Sequence, residues 1–173
     1  MRIGIGIPST PRKQAAPVVP GWLADVLSLG APAGGAAGNY STGINFLPVG
    51  TVTCVGIRAF WGSINVASIP LVLTLWDLDP FAFGVVATES VSVVAGVVQT
   101  TGAFGSHTLN PSHLYAAAMY NSSISNGYVS NGYSLPRVYS KYSVVNSYAY
   151  SGGFYGPTTA NNTVCSFVEP LFA

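Results

Sequence analysis

TVTCVGIRAFW, the stretch from Thr51 to Trp61, decides the fold class. Thr53, Val55, Ile57, Ala59 and Trp61 fall on one side of an extended chain, and Val52, Cys54, Gly56, Arg58 and Phe60 on the other. Both rows are largely apolar, which predicts a central or sandwiched strand. Arg58, set in such a strand, needs a partner if buried, and Glu89 or Glu169 is expected to supply it. Downstream, Pro70 precedes a second strand, Leu71 to Asp77, and Asp77-Leu78-Asp79-Pro80 turns the chain. Gly84 to Val94 reads as a third strand with a polar row at Thr88, Ser90 and Ser92, and Val97 to Phe104 as a fourth. After the turn Asn110-Pro111-Ser112 comes LYAAAMY, Leu114 to Tyr120, which is helical by propensity but is read as a strand from its flanking turn signals. The last strand is expected from Val164 to Phe172, with Pro170 marking it as peripheral. Strands at this spacing without a convincing amphipathic helix predict an all-β chain, a single jelly-roll-like antiparallel β-sandwich.

Upstream the character changes. Residues 1–20 hold Arg2, Arg12 and Lys13 with Pro8, Pro11, Pro17 and Pro20. Proline at this density opposes helix and central strand, so the segment reads as an extended arm or as terminal disorder. Ile3, Ile5 and Ile7 alternate with glycine as a strand would, and could add to the edge of a neighbouring sheet. Trp22 to Leu27 reads as a short helical turn or an anchoring loop, and APAGGAAG (Ala31 to Gly38) as a linker. The expected division is an arm and linker over 1–38 and a sandwich domain over 39–173.

Composition narrows the function classes. Only 6% of the 173 residues are charged, against roughly 25% in an ordinary soluble domain, while 49% are hydrophobic and the net charge is +1. Free monomers use surface charge to stay apart, so this chain reads as one whose surface is covered by copies of itself or by neighbours. There is no basic stripe for nucleic acid, no run of about 18 apolar residues for a membrane span, and no continuous apolar stretch near Met1 for an export signal. Cys54 and Cys165 read as two buried thiols or as one disulfide.

Nine of ten tyrosines lie between Tyr115 and Tyr155, interleaved with Ser, Asn and Gly, including the repeat SNGY at Ser125 to Tyr128 and Ser130 to Tyr133. Tyrosine with small polar residues is the composition of recognition loops. Tyr128, Tyr133, Tyr139, Tyr142, Tyr148, Tyr150 and Tyr155 are therefore the candidate contact surface, facing protein or glycan. The same spacing also fits tyrosines lining a hairpin with Asn-Gly turns. Asp77 and Asp79 are too few for a calcium site and read as turn-shaping hydrogen-bond acceptors. His107 and His113 have no third ligand nearby in sequence. No catalytic motif appears among the five carboxylates or elsewhere, so no enzyme activity, cofactor or metal is expected.

Three stretches, Leu47 to Gly62, Leu73 to Val93 and Leu109 to Tyr120, carry a resemblance. Together they resemble an uncharacterised β-sandwich domain family of bacterial surface proteins and phage virion proteins. In that family a "VTGIRFYK"-like strand is followed by a strand pair with an LW motif and then by a proline-led segment ending in tyrosine. Val55-Gly56-Ile57-Arg58, Leu75-Trp76-Asp77, and Leu109 with Leu114-Tyr115 match these elements in turn. The resemblance covers residues 45–122; Pro111-Ser112-His113 departs from the family's usual glycine turn, and 121–163 have no counterpart. It implies a sandwich fold and transfers no catalytic residue.

Resemblance and composition together lead to the expectation of a non-enzymatic phage virion structural protein, a capsid decoration or head-fibre-like protein. It would dock through its arm (Ile3, Ile5, Ile7, Arg12, Lys13) onto other virion proteins as a homo-oligomer, with a trimer the expected arrangement. It would be made in the host cytoplasm and reside in the virion. A tail or baseplate adhesin binding a host-surface glycan is the alternative, and a secreted carbohydrate-binding module the third reading.

Overall fold

The computed structural model describes residues 21–29, 40–60, 68–94, 96–121, 128–129, 134–151 and 165–173. Among the described residues one short helix, α1 (Trp22–Ser28), precedes twelve strands. These are β1 (Tyr40–Pro48), β2 (Val52–Phe60), β3 (Ser68–Asp77), β4 (Gly84–Val94), β5 (Val98–Thr100) and β6 (His107–Leu109), followed by β7 (Tyr115–Asn121), β8 (Tyr128–Val129), β9 (Arg137–Val138), β10 (Tyr142–Ser151), β11 (Cys165–Ser166) and β12 (Val168–Phe172).

Six strands form the larger sheet in the order β4-β3-β7-β1-β10-β9, each paired antiparallel with its neighbours. The smaller sheet runs β12-β2-β5, with β6 also on β2, and β8 pairs with β11. The sheets pack face to face as an antiparallel sandwich, so the all-β class holds; the strand order does not establish a jelly-roll winding within it. Inner residues come from alternate positions: Leu71, Leu73 and Leu75 of β3, Ile44 and Phe46 of β1, and Ala117 and Met119 of β7 join Ile57, Ala59 and Phe167 in one core. On the far face of the larger sheet, Trp76 packs with Ala116, Ala118 and Leu78.

The strand that decided the class is central in its sheet, between β12 and β5/β6, but its two rows do not run straight through. Cys54 is buried, Val55 is exposed, and Ile57 and Ala59 are buried. The inward parity therefore switches, because Leu171 and Phe172 pair with Gly56 and Cys54 and leave Val55 as the extra residue of a β-bulge. LYAAAMY is a strand, and Gly84–Val94 has the bounds expected. Val97 to Phe104, by contrast, keeps only three strand residues. The last strand breaks at Phe167, and Pro170 lies on an edge strand, where its missing N–H costs no ladder bond.

α1 falls within the segment read as arm and linker over 1–38. Trp22, Leu23 and Val26 of α1 are buried and belong to the main core. Seven residues are too few for a helix stable by itself, so α1 owes its order to that burial. The sandwich therefore includes part of the segment assigned to arm and linker. Residues 1–20, with Ile3, Ile5, Ile7, Arg12 and Lys13, lie outside the described residues. No described helix is long and apolar enough to cross a membrane.

Candidate functional site

A dense polar constellation lies where α1 meets the sandwich. Glu169, 3% exposed on β12, faces Arg58 on β2 through the register pair Glu169↔Arg58. Its Oε2 accepts from Arg58 Nε at 2.8 Å and lies 2.6 Å from the second guanidinium nitrogen. Of the two partners expected for Arg58, Glu169 is thus the one used. Glu89 instead accepts from the amides of Gly102 and Ala103 at 2.9 and 3.0 Å, tying that loop to β4.

Glu169 also organises the start of α1. The amide of Leu23 donates to Oε2 at 3.4 Å, and the Tyr142 hydroxyl donates to Oε1 at 2.5 Å. That hydroxyl accepts in turn from the Trp22 amide at 3.0 Å. The Trp22 indole N–H donates to the Ser166 carbonyl at 2.8 Å. A carboxylate at the first amides of a helix satisfies donors that have no partner within the helix. Gly21 is required by space, since a Cβ there would stand 1.9 Å from Glu169 Oε1. Nearby, Asp25 receives the Tyr139 hydroxyl at 2.6 Å and Arg137 Nε at 3.0 Å. A shallow cleft of about 130 Å³ opens beside Gly21, Arg58, Tyr139, Tyr142 and Glu169. Small-molecule sites commonly measure roughly 300–1,000 Å³, so this cleft is small beside them.

Burial, reinforced by the charge of Glu169, pushes the Tyr142 phenol far above its usual range, so it stays protonated and keeps donating. This tyrosine belongs to the core and is corrected out of the candidate contact surface: it is 4% exposed, with its ring against Phe46, Phe172 and Tyr139. Tyr139 is half-buried, and its hydroxyl is engaged by Asp25. For Tyr148 and Tyr150 the backbone lies on β10 opposite Gly43 and Ser41, and for Tyr128 on β8 opposite Ser166. Tyr133 and Tyr155 fall outside the described residues.

A second constellation closes the β3–β4 turn. Asp77 Oδ1 accepts from the Asp79 amide, and Asp79 Oδ1 from the Phe81 amide, both at 2.9 Å. These are the turn-shaping bonds expected of the two aspartates. What sequence spacing hid is His113, whose Nδ1 stands 2.9 Å from Asp77 Oδ2 and whose Nε2 stands 4.0 Å from Asp79 Oδ2. The Asp77 hydrogen bond, with lesser help from both charges, raises the His113 pKa. Asp77 and His113 are 36 residues apart, and the register Asp77↔Tyr115 is what brings their loops together.

An aromatic row links the two constellations. His113 stacks on Tyr115, Tyr115 on Phe46, Phe46 meets Tyr142 edge-on, and Tyr142 stacks on Tyr139, with centroids 5.0–6.2 Å apart. Such contacts fix ring orientation in addition to burying area. The cysteines are free and buried, and burial pushes the Cys54 thiol up, away from nucleophilic use. Among the described residues no cluster of three or more metal-ligating side chains occurs.

No family model, curated protein or solved structure matches this chain. The residues that carried the resemblance lie on β2, at the ends of β3 and β6 and at the start of β7, and of them Trp76, Leu109 and Tyr115 are buried.

Proposed function

We propose that this is a non-enzymatic virion structural protein, a capsid decoration or head-fibre-like protein of a phage, docked through residues 1–20. The observation that carries the reading is the fixed root of that segment. Residue 20 is bonded to Gly21, Gly21 abuts Glu169, and Trp22 is fully buried. The point where the segment joins the described chain is thereby part of the sandwich core.

Other features support it. Charge is scarce, and three of the six basic residues precede Gly21. Both oxygens of Glu169 are occupied by structural donors, and Asp77 and His113 bond each other. These polar groups hold elements in place.

Deleting residues 1–20 tests the proposal. The truncated chain is expected to keep the thermal transition of the parent and to be lost from assembled particles. Full incorporation of the truncated chain would sink it.

A further inference from the structure

A neutral imidazole has one N–H, and the hydrogen bond made by one ring nitrogen decides which of the two carries it. At His113 that choice is already made. Asp77 Oδ2 belongs to a carboxylate and only accepts, so Nδ1, 2.9 Å away, keeps its hydrogen in both charge states. Nε2 is therefore the atom that gains and loses the proton, and it stands 4.0 Å from Asp79 Oδ2. Protonated, the ring donates at both ends and bridges the two carboxylates. Neutral, it turns a lone pair toward the Asp79 anion.

Asp79 is the residue on which the tip of the turn is folded. The Phe81 amide donates to its Oδ1 at 2.9 Å, and the Ala82 amide to its carbonyl at 3.0 Å. Leu78, one residue earlier, is pinned separately, its amide donating to the Leu114 carbonyl at 2.8 Å. Asp77 is fixed by the sheet, in register with Tyr115 of β7 and Gly84 of β4. The turn thus has a fixed base at 77–78 and a tip, 80–83, that hangs from Asp79. That tip carries Phe81, almost wholly exposed, and Phe83, whose ring centroid lies 6.2 Å from that of Trp76.

Few groups face His113. Asp77 and Asp79 come from the turn, and among the described residues they supply the charges that act on it. From β7 comes Tyr115, stacked on the imidazole with centroids 6.2 Å apart. Burial pushes the Tyr115 phenol up, so it stays neutral while His113 titrates. The His113 side chain keeps about a quarter of its surface in water, where solvent screens the attraction to Asp79. The response to its charge is therefore local.

We propose that His113 is a proton-operated latch on this turn: its imidazolium, spanning Asp77 and Asp79, holds the Pro80–Phe83 tip, and its neutral form releases Asp79 so that the tip loosens while the base stays folded. The ring of Phe81 is then presented in one pose on the acid side and in many on the alkaline side. An ordered anchor loses less conformational entropy on contact than a loose one, so any contact made through Phe81 is firmer when His113 is charged. The latch belongs to the turn alone and is independent of the docking role given to residues 1–20.

Carbon-detected NMR of the full chain tests it, because Cα shifts follow the backbone without relying on amide protons. Between about pH 5.5 and about pH 8.5 the Phe81 and Ala82 signals should move more than half-way to unstructured values, with the midpoint of His113's own titration. Leu75 and Leu78 should stay in place. His113→Gln should keep the loosened shifts at both pH values. Asp79→Asn, which retains an acceptor for the Phe81 amide, should keep one set of shifts that ignores pH. Tip signals that do not move in the parent overturn the inference, as does a response that survives either substitution. Equal movement of Leu75 and Leu78 also overturns it, since the event would then be global.

Discussion

The α1 clasp and the β3–β4 turn lie at the same end of the larger sheet, as the registers Asp77↔Tyr115, Phe46↔Tyr115 and Pro48↔Tyr142 show. Both are built on carboxylates that gather donors from distant chain positions. They differ in solvent access. The side chain of Glu169 is 4% exposed and that of its partner Arg58 32%, whereas His113 and Asp79 keep about a quarter of their surface in water. In the clasp, loss of one partner strands a buried charge. At the turn water can replace a lost partner, so the interaction is weaker and open to titration.

The contrast breaks most readily at Trp22. Trp22→Ala removes a fully buried indole and its bond to Ser166, and should cost about 3–5 kcal/mol in denaturant unfolding. A loss below about 1 kcal/mol would mean that α1 is not part of the cooperative unit. Next comes Glu169→Gln, which leaves Arg58 without its anion. The expected cost is about 3 kcal/mol, at the low end for a broken buried pair because Arg58 is a third exposed.

The turn should respond to pH. His113 has a raised pKa in the folded chain, so its stabilisation is complete below the unfolded value of about 6.5 and fades as pH rises through the folded one. Unfolding of the parent and of His113→Gln, compared at about pH 5.5 and about pH 8.5, should show a stability gap at the lower pH only. An equal gap at both values would mean that the imidazole acts by packing on Tyr115 and not by charge. Smallest of all is Phe81→Ser. Phe81 is 99% exposed at the tip of the turn, so stability should change by no more than about 0.5 kcal/mol. A larger loss would show that the tip packs against something in solution.

Legibility in the sequence followed apolar patterning. β2, β3, β4 and β7 are marked by Val, Leu and Ala runs and were readable close to their bounds. β1, YSTGINFLP, is central in its sheet, yet Gly43, Asn45 and Ser41 dilute its pattern, and β10 is masked by the tyrosine and serine content that suggested recognition loops. Arg58 pointed to Glu89 or Glu169 because a cation in an apolar strand has few acidic partners in a chain with five, and the register Glu169↔Arg58 decides between them. Tyr142 did not announce itself as core, since composition cannot distinguish a buried phenol with a carboxylate partner from an exposed one. His113 was missed for a related reason: register, not spacing, sets it beside Asp77. The helix was half legible, in that Trp22 to Leu27 suggested a turn but nothing showed that its indole fills the core.

The root at Gly21 has a mechanical consequence. Traction exerted through residues 1–20 passes from Trp22 to Ser166 on β11, from Leu23 to Glu169 on β12 and onward to β2, and through the Tyr142 hydroxyl to β10. A pull on the arm is thus shared between both sheets at once. Detaching it means shearing a junction that spans the sandwich, a sterner failure mode than peeling one strand from an edge.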